Sequence, residues 1–163
     1  AGWITLYAGM AGGADVILLP ELGYNMDTII EVLNNRKKNG KAYSIVAVAE
    51  GIEVEGGTDG HHPATYFARE IEKRTGIESR ETVLGYIQRG GSPSAHDRNL
   101  GTMLGGYAAK LIAEKKFGRM VSVKGQKITD VSLEEVAGKL RIVKPDDPMV
   151  LQGKRMGISF GIK

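Results

Sequence analysis

The chain predicts an α/β fold: a single domain over residues 1–163, with a mainly parallel sheet flanked by helices. Three observations point there. Short apolar runs alternate with amphipathic helical stretches from Asp15 to about Lys124. The connections between them are short, and the segment Tyr43–Ala49 is nearly all apolar, as a strand covered on both faces should be. Parallel strands need crossovers and helices supply them, so the alternation favours a parallel sheet. A length of 163 residues with 42% hydrophobic content suits one core and is short for two comfortable ones.

Taken in order, Val16–Leu19 reads as a short buried strand ending at Pro20. Asn25 is placed to cap a helix in which Met26, Ile29, Ile30 and Leu33 recur at helical spacing until Asn39-Gly40 stops it. The strand Tyr43–Ala49 follows, then the polar, Gly-rich loop EGIEVEGGTDGHH. Pro63 opens a helix whose Ala64, Phe67, Ala68 and Ile71 share one face, and Gly76 closes it. Arg80–Ile87 reads as a third strand and QRGGSP as a loop. Ser94 caps a long helix with Leu100, Met103, Leu104, Tyr107, Leu111 and Ile112 inward. Met120–Val123 is a fourth strand, and Ser132 with Glu135 has the capping-box spacing over a short helix. The stretch around Pro145 leads into a terminal segment to which the pattern assigns no form.

Composition excludes several classes. With no Cys, a disulfide framework, thiolate catalysis and Cys-ligated zinc are all ruled out. No apolar run approaches the roughly 20 residues that span a bilayer, so a soluble, cytoplasmic chain without a membrane partner is the simplest expectation. Lys and Arg number 22 against 19 Asp and Glu, a net charge of +3 that is not clustered as a nucleic-acid binder requires. Small anionic ligands remain open. The phosphate-loop pattern GxxxxGK[ST] is absent, and nothing resembles a nucleophile–base triad.

In open parallel sheets ligands bind beyond the carboxyl ends of the strands. That rule puts Pro20-Glu21, Glu50-Gly51 and Gln88-Arg89-Gly90-Gly91 on one rim. Glu50 ends an otherwise apolar strand, where its carboxylate can accept hydrogen bonds from ligand hydroxyls or serve as a solvated strand-end acid; the residues alone weigh these equally. In Gln88–Pro93 two glycines let the backbone approach a ligand, Arg89 offers a fork to phosphate oxygens, and a helix N-terminus follows. An ordinary tight turn before a capped helix has the same sequence. Gly12-Gly13 fits a helix C-cap better than an anion nest. His61-His62 fits an exposed loop pair better than a metal site, because adjacent side chains diverge and no third ligand is evident. Arg36-Lys37-Lys38 with Lys41 reads first as a solvated helix end and second as a small-anion site.

Three stretches, GWITLYAGMAGGADVILLPE, AVAEG and RETVLGYIQRGGSPSAHDR, resemble the C-terminal half of bacterial-type 6-phosphofructokinases. The similarity covers most of the chain and is weakest around Gly56 and in the tail. It implies an enzyme that phosphorylates fructose 6-phosphate at its 1-hydroxyl, giving fructose 1,6-bisphosphate. Residues 1–163 would be the sugar-phosphate-binding domain of that enzyme. It also implies magnesium with ATP or pyrophosphate as donor, and a homo-oligomer. By motif, Glu50 resembles the acid that holds the sugar. Tyr86 and Arg89, with Gln88 between them, resemble the 6-phosphate clamp, and Arg80 resembles an arginine acting across a subunit interface. Reading residues 80–87 as a strand agrees, since it sets Arg80 and Arg89 near its opposite ends. Tyr86 stands where His is frequent; it donates one hydrogen bond but carries no charge. Gly13, Asp15 and Lys41 fit the effector pattern, in which an acid holds the magnesium of a nucleotide and basic residues hold its phosphates. Here Asp15 is shorter than the usual Glu, and Asn39 replaces an expected basic residue. The family's nucleotide-cradling loops and its Thr-x-Asp-x-Asp catalytic segment would lie upstream of Ala1, so these residues alone are expected to be inactive. The rival expectations are a free-standing, non-catalytic sugar-phosphate or nucleotide sensor, and a subunit that complements a separate nucleotide-binding chain.

Overall fold

The structure is a computed structural model that describes residues 2–57 and 60–162, without the side chain of Arg89. Its elements are α1 (Trp3–Ala11), β1 (Val16–Leu18), α2 (Met26–Lys38), β2 (Val46–Val48), α3 (Pro63–Thr75), α4 (Ala95–Ala113), β3 (Arg119–Lys124), β4 (Lys127–Ser132), α5 (Leu133–Val136) and α6 (Pro148–Arg155). A 3-10 turn spans Gly85–Arg89. The chain divides into two compact units, Ala1–Val83 with Arg141–Lys163, and Leu84–Leu140.

In the first unit, β1 pairs in parallel with β2, Val16 opposite Val46 and Leu18 opposite Val48. The terminal segment covers the other edge: Ile17 N–H donates to Ser159 O at 2.8 Å, and Ser159 N–H donates to Asp15 O at 3.0 Å. A strand paired on both edges and covered on both faces has no exposed side, which is why Val16, Ile17 and Leu18 are all apolar and fully buried. Alternation divides the core. Val16 and Leu18 enter a cluster with Met26, Ile29, Leu33, Phe67 and Ile71 of α2 and α3. Ile17 and Leu19 pack oppositely with Leu6, Val143, Val150 and Phe160, on the side of α1 and α6. The α/β class therefore holds, with helices on both faces of a parallel pair.

Local chemistry fixes the helix ends much as the sequence predicts. Asn25 accepts Thr28 N–H at 2.9 Å to start α2, and Pro63 opens α3 as its first residue. Helix α1, which the pattern does not single out, starts without a capping side chain of its own. Glu21 supplies one from the end of β1. Its Oε1 accepts Gly2 N–H at 2.9 Å and Val143 N–H at 3.2 Å. Burial pulls this carboxyl upward, but the Gly2 and Val143 N–H bonds outweigh it and hold the group below its ordinary 4.5. A depressed folded value means the stabilisation is present above the unfolded value and is lost as pH falls through the folded one. Glu21→Gln is accordingly expected to cost about 1–2 kcal/mol at neutral pH. In urea titrations across pH that difference should shrink below 4.5; a pH-independent difference would contradict the assignment.

Two strands depart from expectation. Over Tyr43–Ala49 only Val46–Val48 is strand. The Asp15 carboxylate takes Ile45 N–H at 2.9 Å, and Tyr43 is 74% exposed, so the earlier residues leave the ladder. Residues 80–87 form no strand: 80–84 have no regular structure, and Gly85, at φ +27°, begins the 3-10 turn. The apolar pattern misled because Val83, Leu84, Tyr86 and Ile87 are all exposed rather than packed on a sheet. The placement of Arg80 and Arg89 at opposite ends of one strand falls with it.

In the second unit the expected fourth strand forms as β3, but it pairs antiparallel with β4 through the two-residue turn Gly125-Gln126. Ser94 caps α4 and forms a capping box with Asp97. Of the six residues expected inward on α4, Leu111 is buried, while Leu100, Leu104 and Tyr107 are half-buried and Met103 and Ile112 exposed. The hairpin covers one side of the helix only. Tyr107 Oη donates to Asp130 Oδ1 at 2.9 Å and Arg119 Nε to Asp130 Oδ2 at 2.5 Å. The Arg119 guanidinium first, then the Tyr107 hydroxyl, holds the Asp130 carboxyl below its usual range.

Candidate functional site

Of the three segments expected on one rim, Pro20-Glu21 and Glu50-Gly51 follow β1 and β2, whereas Gln88–Gly91 follows no strand. Ala49 N–H donates to Leu18 O at 3.0 Å, which keeps the two chain ends in register beyond the strands. Pro20 and Gly51 are neighbours, since a Cβ on Gly51 would stand 4.0 Å from Pro20 Cγ. Glu50 is exposed directly after the buried Ala49, so a rigid element presents its carboxylate at the rim. Glu21 does not join it, because its oxygens cap α1. Arg80 also belongs to this unit. Its side chain is 85% exposed, and its Nη2 lies 2.6 Å from Oε1 of Glu78, two residues away.

Tyr86 and Gln88 lie in the second unit, on the 3-10 turn, where both are exposed; Tyr86 is 87% exposed. The backbone of Arg89 closes that turn, and its side chain lies outside the described residues. The glycines that follow have separate reasons. Gly91 has φ +103°, which an L side chain avoids, while a Cβ on Gly90 would lie 3.4 Å from Tyr86 O. The chain then enters α4 through the Ser94 box, with backbone N–H groups at the helix start. An exposed turn, two glycines and a helix N-terminus thus follow one another within ten residues, Gly85–Ser94.

The remaining candidates resolve into structural roles or a closed corner. His62 Nδ1 accepts Ala64 N–H at 3.2 Å and caps α3. Among the described residues no group of three or more His, Asp or Glu is placed to hold a metal ion. Gly12 ends α1 by donating its N–H to Ala8 O at 2.8 Å. Gly13 comes next in the chain, and Lys41 is exposed after α2. Asp15 pairs with Arg36, Nη2 to Oδ1 at 2.9 Å, a partner expected at a solvated helix end or, second, in a small-anion site. Arg36 lies in the last turn of α2, beyond β1 and most of that helix from Asp15, and nothing local in the sequence signals the pairing.

By its parallel strand pair with helices on both faces, the chain is an α/β protein. It belongs to the phosphofructokinase family, whose sequence profile matches residues 1–112. It is 59% identical to ATP-dependent 6-phosphofructokinase 3 of Bacteroides thetaiotaomicron, over 99% of this chain and 47% of that protein. It is 42% identical to the pyrophosphate–fructose 6-phosphate 1-phosphotransferase of Amycolatopsis methanolica, over 90% of this chain and 47% of that protein. Among solved structures, the pyrophosphate-dependent phosphofructokinase of Marinobacter aquaeolei superposes with a TM-score of 0.73 at 25% identity. That match covers 98% of this chain and 45% of the other. The chain spans about half the length of the curated relatives it matches.

Proposed function

We propose that residues 1–163 are the sugar-phosphate-binding part of a 6-phosphofructokinase, which transfers a phosphoryl group to fructose 6-phosphate. The observation that supports this most is the exposed segment Gly85–Ser94, folded as a turn, a glycine pair and a capped helix start in a chain of this family. In this reading Glu50 accepts hydrogen bonds from the sugar hydroxyls. Arg89 supplies a two-pronged, charged contact to the 6-phosphate, and Tyr86 and Gln88 donate neutral hydrogen bonds beside it. The helix N-terminus adds favourable partial charge. Arg80, exposed and ion-paired with Glu78 two residues away, reaches the substrate of a neighbouring copy in a homo-oligomer. ATP or pyrophosphate, with magnesium, is held by sequence outside these residues; bound there, the metal would neutralise charge developing on the transferred group. The enzyme works in the cytoplasm; among the described residues no helix is long and apolar enough to cross a membrane.

Positioning the donor and stabilising its charge are most of phosphoryl-transfer chemistry. The expected outcome is that the polypeptide carrying this chain forms fructose 1,6-bisphosphate from ATP or pyrophosphate, whereas the 163 residues alone bind the sugar phosphate without turning it over. Turnover by the isolated residues, or none by the complete polypeptide with either donor, would contradict the assignment.

A further inference from the structure

We infer that the corner formed by Asp15, Arg36, Tyr43, Ser44 and Ile45 is an internal ion-pair lock, in which the Arg36 guanidinium fills the place a divalent cation would need on Asp15. The effector pattern carried by Gly13, Asp15 and Lys41 then takes no magnesium nucleotide in this protein. Both carboxylate oxygens of Asp15 are engaged by the protein itself, Oδ1 with Arg36 Nη2 at 2.9 Å and Oδ2 with Ile45 N–H at 2.9 Å. The guanidinium is tied down in turn: Nε donates to Ser44 Oγ at 2.9 Å and Nη2 to Tyr43 O at 3.3 Å. Asp15 is 17% exposed and Arg36 27%, so water screens the pair only partly.

Magnesium requires a carboxylate oxygen at about 2.0–2.1 Å inside a near-octahedral shell. A guanidinium ion-paired with the same carboxylate blocks that approach and repels the cation. Displacing it would break an ion pair and two further hydrogen bonds while stranding a partly buried charge. The donor set is also poor, since among the described residues no cluster of three acidic or His side chains is available there. What the corner does provide is a tether. It joins the last turn of α2 to the points where β1 and β2 begin, and so sets the start of the parallel pair that supports the Glu50 rim. This inference stands on those contacts and does not depend on the sugar-phosphate assignment.

The test uses the complete polypeptide that carries this chain, with manganese–ADP as a paramagnetic probe. In wild type the amide signals of Gly13, Asp15 and Ile45 should keep their intensity, and broadening there would overturn the inference. A stability cycle then tests the lock directly. Asp15→Asn and Arg36→Gln should each lower the unfolding midpoint, and the double variant should lose little more than the worse single one. Additive losses would overturn the lock. Should either variant fail to fold, Asp15→Glu or Arg36→Lys, each of which keeps the charge but changes its reach or fork, replaces it in the cycle, and additive losses again overturn the lock.

Discussion

Arg89→Ala should weaken fructose 6-phosphate binding by about 100-fold, equivalent to about 3 kcal/mol, in the polypeptide that carries this chain. The reasoning is chemical. A phosphate dianion held by a guanidinium gains two parallel, charge-assisted hydrogen bonds, and truncation removes both together with the only positive charge in Gly85–Ser94. Tyr86 cannot compensate, because a phenol donates one hydrogen bond and no charge. Arg89→Lys should recover part of the loss by restoring charge without the fork. Calorimetric titration with fructose 6-phosphate and with unphosphorylated fructose separates the possibilities. The account requires the loss to fall on the phosphorylated sugar; an equal loss on both, or none, would remove Arg89 from the phosphate.

Phe67→Ala should be the most damaging core substitution, at about 4 kcal/mol in urea unfolding of the first unit. Phe67 is 1% exposed and packs with Val16, Leu18, Ile29 and Leu33 on the face of the sheet toward α2 and α3. The rings of Tyr24 and Tyr66 meet it edge-on, with centroids at 4.8 Å and 5.4 Å. Removing the ring leaves a void under β1 as well as losing transfer energy, and the void cannot close because β1 is paired on both edges. Phe67→Leu should cost much less, since it refills most of the volume. A loss of under about 1 kcal/mol for Phe67→Ala would mean that this cluster does not support the sheet.

The parts of the fold readable in the sequence were those set by local chemistry. Asn25, Pro63, Gly76 and Ser94 mark helix ends because capping acts within a few residues, and Val16–Leu18 is legible because burial on every side leaves only apolar residues. The failures came where an apolar run is not explained by burial on a sheet. Arg80–Ile87 has strand composition, yet its apolar side chains are exposed and Gly85 bends the chain into a turn. The β4 strand has its own mark in the sequence, a Gly-containing two-residue turn between alternating segments. Of the candidate site, the position of Glu50 after a strand, the irregular stretch Gly90–Pro93 and the Ser94 helix start were legible, whereas the turn over Gly85–Arg89 was not. The occupation of Asp15 by Arg36 was not, because a contact across 21 residues of sequence leaves no periodic trace.

The most direct test of the central claim is amide chemical-shift mapping of fructose 6-phosphate on the polypeptide carrying this chain. The account predicts saturable shifts at Glu50-Gly51 and across Tyr86–Gly91, both abolished by Arg89→Ala, with inorganic phosphate reproducing only those at Tyr86–Gly91. Saturable shifts confined to other residues, or no saturation at all, would contradict the proposal that these residues form the sugar-phosphate site.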